Sequence, residues 1–138
     1  LKTSNQDLGV NQNVASFVVP VGATINMDGT AIMQGLATVF IAQMSGIDLT
    51  LFQYMQVVLL AVATSIGTAA VPSAGTITLI IILQQFNLPL EAIGIILAVD
   101  RVLDMIRTSV NVTGDAAIAC IVAKTENQLD ENIFNSKA

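Results

Sequence analysis

The sequence has 138 residues, of which 54% are hydrophobic and only 11% charged, with a formal net charge of −5 and no histidine. Soluble domains carry about a quarter charged residues, so this balance and a mean hydropathy of +0.74 point to an all-α membrane protein. The lone Cys120 excludes an internal disulfide or a thiolate cage, and the absence of tryptophan and of any basic run gives no sign of a nucleic-acid partner.

The chain opens at Leu1 in a polar stretch, Lys2 to Asp7, without a signal peptide, and reads as a piece of a longer protein. The first apolar segment, Phe17 to Met44, exceeds the ~20 residues needed to cross a hydrocarbon core, but Asn26-Met27-Asp28-Gly29 interrupts it. Aspartate at a bilayer centre costs roughly 2.5–3.5 kcal/mol, and glycine costs a helix about 1 kcal/mol more. Pro20 and Gly22 weaken the preceding turn. A broken helix whose freed backbone groups line a buried site is therefore expected.

The second apolar segment, Leu49 to Leu83, lies in a stretch without Asp, Glu, Lys or Arg that reaches Leu90. Its centre, Ser65-Ile66-Gly67-Thr68-Ala69-Ala70-Val71-Pro72-Ser73-Ala74-Gly75, is rich in small residues and helix breakers. The flanks, Val57 to Ala63 and Ile77 to Leu83, are each too short to cross. A re-entrant hairpin of two half-helices fits this pattern, and two short helices in a soluble core are the alternative.

The third segment follows Pro89 and runs to about Lys124, with Asp100, Arg101, Asp104, Arg107 and Asp115 inside it. At ~100° per residue, Asp100, Asp104, Asn111 and Asp115 fall within about 60° of one another. Arg107 and Thr108 flank this stripe, and Val102, Met105, Ile106, Val110, Ala117 and Ile121 form the opposite face. Ionisable residues within a span mark a substrate or ion path.

The planar fork of Arg107 suits a carboxylate. Asp104, one turn earlier, either neutralises Arg107 or binds an ammonium group; together the pair matches an acidic amino acid. Asn26, Asp28, Asn111 and Asp115 are hard oxygen donors, unsuited to a transition metal. With carbonyls freed by broken helices they suit Na+, and interhelical hydrogen bonding is the other use of the two asparagines.

Three ordered motifs, Asn26-Met27-Asp28-Gly29-Thr30, Ser65 to Pro72 and Asp104 to Asp115, resemble the glutamate/aspartate:cation symporter family. The resemblance runs from about Gly9 to Glu126. It implies the end of a first re-entrant hairpin and its connection (1–13), a broken transmembrane helix (14–46), a second re-entrant hairpin (47–88), a long final transmembrane helix (89–125) and a polar tail (126–138). Arg107 and Thr30 would engage the substrate's side-chain carboxylate, Asp104 its amino group and Asn111 its α-carboxylate. Val71 and Gly75 would close over it, and Thr108 belongs with this set. One Na+ would be held by Asp115 with carbonyls of Gly22, Asn26 and Asn111. A second would use carbonyls of Thr24, Ser65, Ile66 and Thr68 near the Met27 sulfur, and a third Asn26 and Asp28 with an earlier helix. Ala70 and Ser73 depart from the family, standing where glycine is common in archaeal members. The missing N-terminal helices would complete the site and make most contacts of a homotrimer, multi-pass in the cell membrane among lipid.

The expected function is Na+-coupled symport of glutamate or aspartate by alternating access. A proton is the alternative coupling ion, with Asp28 or Asp100 as its carrier, and C4-dicarboxylates are the alternative substrates. An intramembrane aspartyl protease is the remote enzymatic reading. Only Gly114-Asp115 hints at it, and Arg107 would sit badly beside a dyad sharing one proton. A channel would give no reason for the Asp104–Arg107 pair.

Overall fold

A computed structural model describes residues 1–68 and 73–136. Among them the regular elements are α1 (Lys2–Gln6), α2 (Gln12–Ile25), α3 (Asp28–Met44), α4 (Leu51–Ser65), α5 (Ala74–Gln85), α6 (Ile93–Thr125, preceded by a 3-10 turn, Leu90–Ala92) and α7 (Glu131–Asn135). The architecture is all-α, apart from one isolated antiparallel bridge between Val10 and Leu129.

The first apolar segment is divided where Asn26 (φ −93°, ψ 71°) and Met27 (φ −105°, ψ 47°) leave the helical well. These residues end α2 and begin α3. The α4 helix starts at a capping box: Thr50 Oγ1 accepts from Gln53 N at 3.3 Å, and Gln53 Oε1 accepts from Thr50 N at 2.8 Å. The α6 helix is the spine, packing along α2 and α3; α3 also packs on α4 and α5, and α4 on α5. One apolar core joins α3, α5 and the start of α6 through Ile41, Leu79, Leu83 and Ile96. A second joins α2 to the end of α6 through Val10, Ala15, Ala119 and Ala123.

Beside the second core, Asp130 N donates to Gly9 O at 2.8 Å and Asn11 N to Gln128 O at 3.0 Å. Gly9 is required there, because it sits at φ +70° and a Cβ would stand 2.5 Å from the Asp130 carbonyl oxygen.

The polar stripe of α6 faces inward. Asp100, Arg107 and Asp115 are buried, whereas Val102, Met105 and Ile121 are more than half exposed. This inverts the usual amphipathic arrangement. Among the described residues no helix is long and apolar enough to cross a membrane. The α2 and α3 helices, of 14 and 17 residues, fall short of the ~20 required. The 33-residue α6 is long enough but carries the charges of its stripe.

Candidate functional site

The buried charged residues of α6 meet the break between α2 and α3 on one side and the start of α5 on the other. Arg107, 5% exposed, donates through Nη2 to Asp104 Oδ1 and lies 3.8 Å from Asp100 Oδ1. Its Nη1 is buried without a hydrogen-bond partner. Such a donor loses its water without recompense, a cost of about 1–3 kcal/mol and more for a charged group. Nη1 points to the start of α5, where a Cβ on Gly75 would stand 2.7 Å from it and 3.0 Å from Thr30 Cγ2. Arg107, Thr30 and Gly75 thus converge at one position, with Asp104 bonded to the same guanidinium.

Asn111 ties this position to the helix break. Its Oδ1 accepts from Gly29 N at 2.8 Å, and its Nδ2 makes longer bonds to Met27 Sδ (3.3 Å) and Thr30 Oγ1 (3.4 Å). The approach depends on Gly29, because a Cβ there would stand 2.5 Å from the Arg107 carbonyl oxygen. Gly29→Ala is accordingly expected to push α3 off α6 and to destabilise the protein by about 1–3 kcal/mol. Thermal unfolding in detergent checks this, and an unchanged midpoint would show that the helices separate freely.

One turn further along α6, Asp115 is 6% exposed. Its Oδ1 accepts from Asn26 Nδ2 at 3.0 Å, and a Cβ on Gly22 would collide with that same oxygen. Among the described residues no Lys or Arg pairs with Asp115. A buried carboxylate without a countercharge is costly. Among the described residues no three His, Cys, Asp or Glu side chains converge. Gly22 and Asn26 instead approach the Asp115 carboxylate, and Gly22 O accepts from Asn26 N at 2.7 Å.

The remaining expected residues are less closely gathered. Thr24 O accepts from Gly67 N at 3.2 Å, which brings the end of α2 to the end of α4, where Ser65 O accepts from Thr68 N at 3.1 Å. Ser65 and Thr68 are buried, and Ile66 is exposed. Asp28 is exposed in the first turn of α3. Thr108 is exposed on α6, away from the point where Arg107, Thr30 and Gly75 meet. Val71 lies outside the described residues.

Gln34 was not among the expected residues. It is 0% exposed and joins three helices: its Nε2 donates to Gly75 O (3.1 Å) and Thr78 Oγ1 (2.5 Å), and its Oε1 accepts from Thr64 Oγ1 (3.0 Å). The available signal is its spacing of four from both Thr30 and Thr38, a polar line through an apolar segment. Asp100, expected in the stripe and as an alternative proton carrier, accepts from Ser73 and Thr76 of the α5 start.

The site thus combines a buried guanidinium with an orphan donor, a broken helix and a buried carboxylate that no described Lys or Arg pairs with. The profile of the sodium:dicarboxylate symporter family matches residues 1–125. The chain is 51% identical over 117 residues to an excitatory amino acid transporter of Caenorhabditis elegans, covering 85% of this chain and 23% of that protein. It is 50% identical over 129 residues to excitatory amino acid transporter 3 of Mus musculus, covering 93% and 25%. With excitatory amino acid transporter 2 of Homo sapiens it shares 50% over 117 residues, covering 85% and 20%. The chain belongs to the sodium:dicarboxylate symporter family, and it spans about a fifth to a quarter of the length of these curated relatives. Membership of a symporter family sets aside the protease reading.

Proposed function

We propose that this chain carries the substrate- and cation-binding centre of a membrane symporter that moves an acidic amino acid together with Na+ by alternating access. The observation that carries this reading is the unpartnered Nη1 of Arg107, a buried donor that a substrate carboxylate would satisfy. The N-terminal ends of α3 and α5 meet at the same position through Thr30 and Gly75, and their dipoles favour an anion. Asp104 would exchange its bond to Arg107 for one to the substrate's ammonium group. The α-carboxylate would replace the two long bonds made by Asn111 Nδ2.

Asn111 also links substrate to cation, since its Oδ1 holds the helix break at Gly29 and its carbonyl belongs to the proposed shell around Asp115. Asp28, with Asn26 and an earlier helix, would hold a further ion. The hairpin of α4 and α5 acts as the gate over the bound substrate. Exposed Phe17, Leu51, Phe52 and Met105 suit lipid and neighbouring helices.

The test is uptake of labelled aspartate and glutamate by a full-length protein carrying this sequence, reconstituted in proteoliposomes. Accumulation driven by an inward Na+ gradient, and absent with choline, is expected. Uptake sustained by a proton gradient without Na+ would replace Na+ with H+, and equal uptake of succinate would remove the need for Asp104. No uptake of any of these would overturn the reading.

A further inference from the structure

Asp100 has no role among the substrate and cation ligands, yet it is 3% exposed and fully engaged. Ser73 Oγ donates to its Oδ2 and Thr76 Oγ1 to its Oδ1, each at 2.6 Å. Both hydroxyls come from the start of α5, and the same Oδ1 lies 3.8 Å from Arg107 Nη2. Ser73 occupies the left-handed region, at φ +64°, where a Cβ is disfavoured and glycine is not. It stands at the N-cap of α5, yet its side chain makes no cap bond; the hydroxyl crosses to α6 instead. A serine held in a glycine-like conformation, with its hydroxyl in a short charge-assisted bond to another helix, is a backbone position over-determined by that bond.

We infer that Asp100 is a positioning residue that latches the start of α5 onto α6 and couples closure of the hairpin to the readiness of Arg107. With the hairpin closed, the Asp100 carboxylate is satisfied by the two hydroxyls, and Arg107 Nη1 is left facing Gly75. With the hairpin open, those hydroxyls are lost and Asp100 draws Arg107 toward itself, away from the substrate position. The inference rests on the reading of α4 and α5 as a gate above Arg107.

The test uses the full-length protein, with two readouts: KM and maximal rate of aspartate uptake in Na+, and the rate at which proteinase K cuts between α4 and α5 in detergent with Na+ and aspartate. Asp100→Asn is expected to raise KM about tenfold, or 1.4 kcal/mol, without a matching fall in maximal rate, and to speed cleavage. Ser73→Ala and Thr76→Val are expected to raise KM by about threefold each. The Asp100→Asn/Ser73→Ala double variant should be no worse than Asp100→Asn alone, because both remove one interaction. Ser73→Gly relieves the backbone but loses the hydroxyl, and should behave as Ser73→Ala does. The latch is overturned by effects that multiply in the double variant, by slower cleavage of Ser73→Gly than of wild type, or by an Asp100→Asn protein unchanged in both readouts. If wild type shows no uptake, the transport reading fails while cleavage still decides the latch: faster cleavage of Asp100→Asn supports it, and equal rates overturn it.

Discussion

Arg107→Ala is expected to lower uptake of aspartate and glutamate by at least about thirtyfold, the lower end of the 2–5 kcal/mol lost when one partner of a buried hydrogen-bonded charge pair is truncated. Arg107 is buried against Gly75 and Thr30, and Arg101, six residues earlier on α6, is exposed. No other described cation therefore stands ready to replace it. The same change strips Asp100 and Asp104 of their countercharge, at a stability cost of about 3–5 kcal/mol, so the alanine variant alone would confound binding with folding. Arg107→Lys separates the two. It keeps the charge between the aspartates but replaces a planar fork with a point charge. Lysine should preserve the unfolding midpoint while still weakening uptake, measured as KM in proteoliposomes. A lysine variant that transports like wild type would show that Arg107 acts by charge alone.

The second large effect is expected at Asp115. Asp115→Asn should abolish the stabilisation that Na+ gives to the folded protein while leaving the midpoint in choline unchanged or higher. The sign follows from burial: the carboxylate is 6% exposed and lacks a cationic partner among the described residues. Removing its charge therefore removes a cost in the absence of Na+ and an attraction in its presence. A ligand at a hundred times its Kd stabilises by about 2.7 kcal/mol, which is the increment the wild type would show and the variant would lose. The asparagine keeps the volume beside Gly22 and an oxygen for Asn26 Nδ2, so a folding defect is not expected. Thermal unfolding in NaCl and in choline chloride reads this directly. An undiminished Na+ increment in the variant would move the cation away from Asp115.

Much of this arrangement was legible because its causes are local. Asn26-Met27-Asp28-Gly29 cannot continue an apolar helix, and the helix does break there. The one-sided spacing of Asp100, Asp104, Asn111 and Asp115 foretold an inward stripe, and an exposed apolar back accompanies it. Arg107, expected at the flank of the stripe, is buried as fully as Asp100 and Asp115, since neighbouring helices cover its side chain.

What escaped the sequence has distant causes. The bridge from Val10 to Leu129 joins the two ends of the chain by main-chain groups, which leave no side-chain pattern. Gln34 is inconspicuous until α4 and α5 are folded onto α3 and present Thr64, Gly75 and Thr78 to it. Ser73 was notable only as a departure from glycine; its bond to Asp100 became visible once α5 lay against α6.

The tie between Gly9–Asn11 and Gln128–Asp130, together with the packing of α3 on α6, closes a ring of α2, α3 and α6. A ring has no loose end from which slack can be drawn. Tension applied along α6 returns through α2 to the joint at Asn26 and Met27, so the frame and that joint bear it in series. The pair α4–α5 hangs within this circuit as a side branch, carried by α3 and α6 but outside the loaded path. As the proposed gate, such a branch would swing while the perimeter keeps its length.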